Sequence, residues 1–506
     1  MLTETLINKK DKAFYKEQEQ TPFFSAIKKY VDDKILTFHC PGHQQGKGAD
    51  KNFKEFFGDN VFKADISYGH GIDDLHQPQG VIKEAQRLAA IAYGADFTYF
   101  LINGSSSGNQ ATIMTACKPG DKIIVPRNAH KSVTSALILS GANPVYVLPE
   151  FDEEIKVDHT ITLENTEKAL KENPDAKAVF ILSPTYYGAT ADLAGLIDLA
   201  HSHDKIAIVD EAWGPHLHFC GKLPVSAMSA GADMCVNSTH KIISGMSQSS
   251  MLHAKSGRID MGRLGSVIRI FLSTSPNSLL LSSLDVARMQ MATNGEKLLD
   301  ICVELGDYAR EKIRQIPGFT VYGRDIIGRP GVHDYDPTRL VFSAKDLGFS
   351  GYMIEELLRK YGIQIEMSDL FNVVVLITIG HTKEDVDKLI NALGKISKKH
   401  KDKDAAQESE LLHKRISTAV ILPDFSPQVM TPREAFVSEH KIVKFSESAG
   451  LISNEVITPY PPGIPVLCPG ERITRDIIEY LQIELKAGGH IDGPADPSLE
   501  TIRVVK

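Results

Sequence analysis

The sequence predicts an α/β fold, a mostly parallel sheet covered by helices on both faces, with smaller units attached. Short apolar runs at residues 98–102, 122–125, 144–148, 178–182, 205–209 and 234–236 have the length of strands. The segments between them are compatible with helices. Strands that alternate with helices build a parallel sheet whose two faces are both buried. Several of these runs end in polar, chemically able residues, and in such sheets ligands gather at the carboxyl ends of the strands.

The totals narrow the class. A chain of 506 residues is too long for one core, so two to four units are expected. A net charge of -8 argues against a nucleic-acid binder, which would present a basic face. The six cysteines (Cys40, Cys117, Cys220, Cys235, Cys302 and Cys468) are scattered without CxxC spacing. That pattern suits reduced thiols and a cytoplasmic location, not a disulfide frame or a zinc site. Residues 1–20 are polar and charged, and no apolar run reaches the length of a membrane span. Neither a signal peptide nor a membrane partner is expected.

Taken in order, residues 21–33 form an amphipathic helix with Phe23, Phe24, Ile27 and Val31 on one side. The segment Phe38-His39-Cys40-Pro41-Gly42-His43 is a loop at the mouth of a site, with metal binding as the sharper alternative. Asp73-Asp74-Leu75-His76 is a capped turn before a helix over 80–93. A strand at 98–102 leads into the turn Asn103-Gly104-Ser105-Ser106-Ser107-Gly108-Asn109, and a helix begins at Gln110. After Leu279 a long helical pattern runs to about Ile316. A small α+β unit follows, with strands at 339–343, 363–366 and 373–379 and helices at 351–361 and 382–397. The charge run from Lys398 to Asp404 reads as a helix end and linker. The last unit, of about 90 residues, is too small for an independent enzyme and contains the rigid segment Pro459-Tyr460-Pro461-Pro462-Gly463. The expected division is 1–40, an N-terminal segment; 41–290, the major domain; 291–404, the small domain; and 405–506, the C-terminal domain.

Four features fall on one rim of the predicted sheet. The Gly104 to Gly108 loop enters a helix, where amides and hydroxyls can hold a phosphate; plain helix capping is the alternative. Asp210 ends a buried strand and needs a partner, which a protonated ring nitrogen would supply; a cap or core ion pair is the alternative. His130 follows another strand and could stack on an aromatic ring or serve a loop. Lys241, in Ser238-Thr239-His240-Lys241, sits among small residues past an apolar run, where a Schiff-base lysine would be built. It follows Asp210 by 31 positions, the span of one crossover between neighbouring strands. Together these describe a site for pyridoxal phosphate.

At this point the sequence resembles the Orn/Lys/Arg decarboxylase family, pyridoxal-phosphate enzymes with an aspartate-aminotransferase-like (fold type I) major domain. The resemblance rests on Ser238-Thr239-His240-Lys241 with Ser247-Gln248-Ser249-Ser250, on Arg127-Asn128-Ala129-His130-Lys131-Ser132, and on Asp210-Glu211-Ala212-Trp213. It also rests on Pro459-Tyr460-Pro461-Pro462-Gly463, and it runs from Pro41-Gly42-His43 to Pro469-Gly470-Glu471. It implies that Lys241 bonds the cofactor aldehyde, Asp210 holds the pyridine nitrogen, and His130 stacks on the ring opposite Ala212. Ser105, Ser106, Ser107, Ser238 and His240 would hold the phosphate, and Trp213 would flank the cofactor. His240 or Lys241 would return a proton to the α-carbon.

The larger enterobacterial members carry an additional N-terminal flavodoxin-like domain, whereas about 40 residues precede the shared region here. The resemblance is therefore to the shorter Gram-positive type, without decamer assembly through that domain. It implies a homodimer or higher homo-oligomer with shared sites, in which Ser273 and Thr274 reach the neighbouring subunit's phosphate. The expected reaction is decarboxylation of a small basic amino acid, arginine to agmatine first, with lysine or ornithine as alternatives. Glu366 and Asp369 are the candidate contacts for a guanidinium, against a turn cap and an ordinary ion pair. An aminotransferase, an aldolase or a non-catalytic regulatory relative are the rival readings.

Overall fold

The structure is a computed structural model describing residues 13–67, 69, 71–399, 425–460 and 463–506. The strands, in chain order, are β1 (Phe97–Leu101), β2 (Lys122–Pro126), β3 (Asn143–Val147), β4 (Phe151–Asp152), β5 (Val157–Asp158), β6 (Ala178–Leu182), β7 (Ala189–Thr190), β8 (Ile206–Asp210), β9 (Met234–Asn237) and β10 (Ser250–Ala254). They continue with β11 (Thr320–Tyr322), β12 (Asp334–Tyr335), β13 (Arg339–Ser343), β14 (Met367–Ser368) and β15 (Val373–Leu376). The principal sheet has seven strands in the order β1-β10-β9-β8-β6-β2-β3. The pairs β2–β3, β2–β6 and β8–β9 are parallel, whereas β10 runs antiparallel to both β1 and β9. The expected α/β sheet is present, and all but one of its strands match the six predicted runs.

The chain forms two compact units. The first comprises Met1–Thr115, Ile208–Gly221 and Val225–Asp300; the second comprises Ala116–Ala207, Lys222–Pro224 and Ile301–Lys506. The core of the first joins Phe23, Ile27 and Tyr30 of helix Pro22–Asp32 to Ala85, Ala89 and Tyr93 of helix Val81–Tyr93. Phe100 of β1, Met251 of β10, and Leu281 and Leu284 of the 37-residue helix Ser278–Arg314 complete it. A buried ion pair fixes the entry to the first of these helices. Asp285 accepts from the Phe23 and Phe24 amides and pairs with Arg288, which donates to the carbonyls of Gln18 and Gln20.

In the second unit, β11-β13-β15-β14 form a four-stranded antiparallel sheet. Helices Gly351–Arg359 and Lys383–Lys399 accompany it. The C-terminal residues build a separate core from Phe445, Ile457, Leu467, Ile477, Leu481 and Val504, joined by Leu370. A buried bidentate pair ties β2 to this part: Arg127 donates to both Glu471 oxygens and to the Pro465 and Val466 carbonyls. Two sequence motifs 344 positions apart are thus one structural contact.

Three expectations are corrected. Residues 363–366 are not a strand. Gly362, at φ +72°, ends the preceding helix, the Ile363 amide bonds back to Leu358, and pairing starts only at Met367. The helix expected from Gln110 begins at Gly104, so the serine-rich turn is its first turn. Small hydroxyl residues suit that position, where amides lack intrahelical partners. A strand not foreseen, β10, is hidden in the sequence by its serine and histidine. The linker read from Lys398 to Asp404 lies outside the described residues from His400 onward, as do Pro461 and Pro462 of the proline segment.

Candidate active site

The site is assembled in the first unit where β8 and β9 end side by side. These strands pair in parallel with Asp210 opposite Val236, so the chain leaving β8 and the chain leaving β9 emerge together. The Glu211 amide donates to Val236, and the Ser238 amide to Ala212, which carries the pairing past the strand ends. Asp210 and Lys241 are brought to neighbouring strand ends, as their spacing suggests.

Asp210 is 2% exposed. Its Oδ2 accepts from Asn109 Nδ2 at 2.7 Å, and its Oδ1 from the Ala212 amide at 3.1 Å. Burial pushes its carboxyl above the usual carboxylate range, while the charge of Lys241 and the two hydrogen bonds pull it back. A carboxylate offers about four acceptor positions, and these protein donors take two. A protonated ring nitrogen fits what remains.

Lys241 lies past β9 in a turn, its amide bonded to the Ser238 carbonyl. Its Nζ stands 3.6 Å from the centroid of the Trp213 ring. Trp213 is itself buried, so the amine is held against a large apolar face. His240 is half-buried, with Nδ1 2.8 Å from the Ser249 carbonyl. Burial lowers its pKa, against the pull of that carbonyl, which favours a neutral imidazole near pH 7.

The hydroxyls form a cluster. Ser105 Oγ is 2.6 Å from Ser238 Oγ and 2.5 Å from Ser250 Oγ, and Ser250 also donates to the Asn237 carbonyl at 2.8 Å. One hydroxyl proton is committed to that carbonyl; the others are available to each other or to an incoming oxyanion. The cluster gathers on Ser105 in the first turn of helix Gly104–Ala116, where the helix dipole favours negative charge, with Ser238 just past β9 and Ser250 at the start of β10. Gly108 lets this helix lie close on the sheet. A Cβ there would stand 2.7 Å from Val236 and 2.9 Å from Leu101. Buried Thr239 Oγ1 has no hydrogen-bond partner in the structure. A carboxylate with spare capacity, an amine on an aromatic face and a hydroxyl cluster at a helix start together fit pyridoxal phosphate.

The remaining sequence candidates are placed as follows. Ser106 is exposed, and Ser107 donates back to the Gly104 carbonyl within the helix. Ser273 and Thr274 are exposed, with His76 Nε2 3.0 Å from the Ser273 carbonyl. Asp73 caps helix Val81–Tyr93 by accepting from Gln79, Gly80, Ile82 and Lys83 amides, as the turn reading has it. His43 has an acidic neighbour that the local sequence conceals, Asp65 at 3.2 Å.

His130, in the second unit, caps helix Lys131–Ser140 through the Ser132 amide. Its ring packs against Gly463, where a Cβ would stand 3.1 Å from its Cδ2. Asp369 caps the turn of Phe371 and Asn372 and accepts from Tyr187 Oη at 2.7 Å; Glu366 is exposed. The sequence reading missed Asn109 and Ser250. Both stand in quoted stretches, Ser250 at the end of Ser247-Gln248-Ser249-Ser250 and Asn109 at the end of the turn from Asn103, and neither is singled out there because their partners are distant in sequence.

Comparison with known proteins places the chain in a family. The family model for the Orn/Lys/Arg decarboxylase major domain matches residues 21–385, and that for the C-terminal domain matches residues 414–494. The chain is 43% identical to the arginine decarboxylase of Halalkalibacterium halodurans over 97% of this chain and 98% of that protein. It is 41% identical to the arginine decarboxylase of Bacillus subtilis over the same shares. Among solved structures it is similar to the lysine decarboxylase of Francisella novicida, with a TM-score of 0.84, 23% identity, and coverage of 97% of this chain and 82% of that one. The fold is that of the aspartate-aminotransferase-like pyridoxal-phosphate enzymes, and with both family domains matched in order, this chain belongs to the Orn/Lys/Arg decarboxylase family.

Proposed function

We propose that the protein decarboxylates L-arginine to agmatine and CO₂, using pyridoxal phosphate bound at Lys241. The observation that carries the chemistry is the Lys241 amine on the Trp213 face, in one unit with the Asp210 carboxylate and the Ser105, Ser238 and Ser250 hydroxyls. The choice of arginine rests on the near full-length similarity to arginine decarboxylases. When bound, the cofactor supplies an electron sink for the pair left by departing CO₂.

The protein's own residues do the rest. Asp210, held by Asn109 and Ala212, keeps a ring proton in place and so maintains positive charge where electrons accumulate. The serine cluster, with Ser106 and Ser107 in the same helix turn, anchors the phosphate. The buried Trp213 ring covers one side of the Lys241 amine, and Ala212 would pack beside the cofactor ring. Lys241 or the neutral His240 returns the proton to the α-carbon. His130, oriented by Ser132 and Gly463, supplies the stacking face.

Glu366 and Asp369 are proposed to meet the far end of the substrate, Asp369 sharing its Oδ2 with Tyr187. The proposed domains are a major domain over 41–290, a small domain over 291–404 and a C-terminal domain over 405–506, after an N-terminal segment of 1–40. No helix among the described residues is long and apolar enough to cross a membrane, and a cytoplasmic role in polyamine synthesis is proposed. Exposed Ser273 and Thr274 suit a homodimer in which this loop reaches the neighbouring phosphate. Mixing Lys241→Ala chains with a Ser273/Thr274 double variant should then restore some activity.

Incubation with arginine, lysine and ornithine in turn, with CO₂ and amine products identified, tests the proposal. Agmatine should dominate in competition. A kcat/KM for lysine or ornithine equal to that for arginine would show the substrate wrong, and a keto acid product would show the reaction wrong.

A further inference from the structure

We infer that Glu211 is a positioning residue which, through Asn237, sets both ends of the cofactor site at once: the Asp210 carboxylate and the serine hydroxyl cluster. The inference rests on the reading of this site as a pyridoxal-phosphate site and concerns a residue that reading leaves without a task.

Glu211 is 2% exposed, and its side-chain hydrogen bonds all go to uncharged groups. Its Oε1 accepts from the Ala227 amide at 2.7 Å. Its Oε2 accepts from Asn237 Nδ2 at 3.0 Å and faces the Cys235 thiol at 3.4 Å. The same Asn237 nitrogen donates to the Glu211 carbonyl at 3.0 Å, so the amide is clamped on both backbone and side chain. The main-chain carbonyl of Asn237 in turn receives the Ser250 hydroxyl, which touches Ser105 and through it Ser238. An unbroken chain of contacts thus runs from the residue after Asp210, across β9, to the hydroxyl cluster.

All three partners of the Glu211 side chain act as donors toward it, so the clamp calls for an acceptor at every contact. An ionised carboxylate provides that; a protonated carboxyl or an amide must turn one N–H or O–H toward a donor. The groups facing it are Asp210 beside it, Cys235 on β9 and Tyr93 on helix Val81–Tyr93, and none can carry a positive charge. His253 stacks on Tyr93 and is held neutral by burial. Burial drives Glu211 itself up to about 7, so the clamp should loosen as pH falls through neutrality.

The test is titration of the apo-protein with pyridoxal phosphate, followed by absorbance from pH 5.5 to 8.5. Wild type, Glu211→Gln, Asn237→Asp, the double variant and Asn237→Ala would be compared, with thermal unfolding of each apo-protein as a check on folding. At pH 8, Glu211→Gln and Asn237→Asp should each weaken cofactor binding by about tenfold or more. The double variant should recover part of the loss, because the donor and acceptor then exchange sides: the amide introduced at position 211 can donate to the carboxylate introduced at position 237. Asn237→Ala, which introduces no charge, should weaken binding as well. Wild-type affinity should fall as pH drops through about 7, and Glu211→Gln should flatten that dependence. Glu211→Gln or Asn237→Ala binding with wild-type affinity and pH profile would overturn the inference, as would losses in the double variant that multiply. The site reading fails separately, on Lys241→Ala retaining the absorption of a lysine-bound cofactor.

Discussion

The Nζ of Lys241 stands 3.6 Å from the ring centroid of Trp213, the one tryptophan in the chain. The two residues leave adjacent parallel strands, so the contact follows from the register that sets Asp210 against Val236. An ammonium over an indole face gains roughly 0.5–2 kcal/mol, and the ring covers one side of the amine. Trp213→Phe, which keeps a smaller aromatic face, should retain most of the turnover. Trp213→Ala should lower kcat on the order of tenfold, the equivalent of such a contact. Steady-state kinetics at saturating cofactor check this, and equal turnover in the two variants would count against a role for this contact.

Asp210 tests the electrostatic part. Asp210→Asn keeps shape and can still hydrogen bond, but it cannot hold a ring proton by charge. Cofactor should remain bound while kcat falls by about 10²–10³, the scale of other lost electrostatic stabilisers. Absorbance of bound cofactor and single-turnover decarboxylation rates separate the two effects. Unchanged turnover would remove Asp210 from the proposed chemistry.

Glu484 gives a pH prediction. It is 2% exposed and accepts from Tyr480 at 2.6 Å and Tyr352 at 2.8 Å. Burial raises it to about 7, with nearby Asp369 adding to the rise and the two tyrosines opposing it. The folded state therefore holds a proton that the unfolded chain releases near pH 4.5. This contribution to stability is fully present below the unfolded value and is lost as pH rises through about 7. Urea unfolding from pH 5 to 8 should show wild type losing on the order of 3 kcal/mol more than Glu484→Gln. Parallel pH dependences would contradict it.

Asp285 tests the packing of the N-terminal helix. Removing it leaves the Arg288 guanidinium buried and the Phe23 and Phe24 amides without their cap. Breaking a buried pair in this way costs about 3–5 kcal/mol. Asp285→Ala should lower the urea midpoint accordingly, and a shift within error would mean that the carbonyls of Gln18 and Gln20 suffice for Arg288.

Much of this was legible in the sequence where burial is two-sided. The run at 178–182 coincides with β6, a strand covered on both faces and apolar throughout; the run at 339–343 coincides with β13, legible from Leu340, Val341 and Phe342 between a buried arginine and a buried serine. β10 escaped because its Ser250 and His253 are buried through polar contacts, the first in the hydroxyl cluster and the second with Thr98. Asn109 escaped for the same kind of reason, since its bond to Asp210 spans 101 positions. The run Ile363-Gln364-Ile365-Glu366 shows the opposite error: its alternation is that of a strand, but the helix end at Gly362 delays pairing to Met367. Motif residues were legible individually; the contact between Arg127 and Glu471 that joins two of the motifs was not.

The central claim is that Lys241 bonds the cofactor, and peptide mapping tests it most directly. The protein loaded with pyridoxal phosphate would be reduced with borohydride, digested and examined by mass spectrometry. The account predicts one stable pyridoxyl addition, on the peptide carrying Ser238-Thr239-His240-Lys241, and its disappearance in Lys241→Ala. A cofactor fixed to another lysine, or an unlabelled Lys241 in an active enzyme, would contradict it.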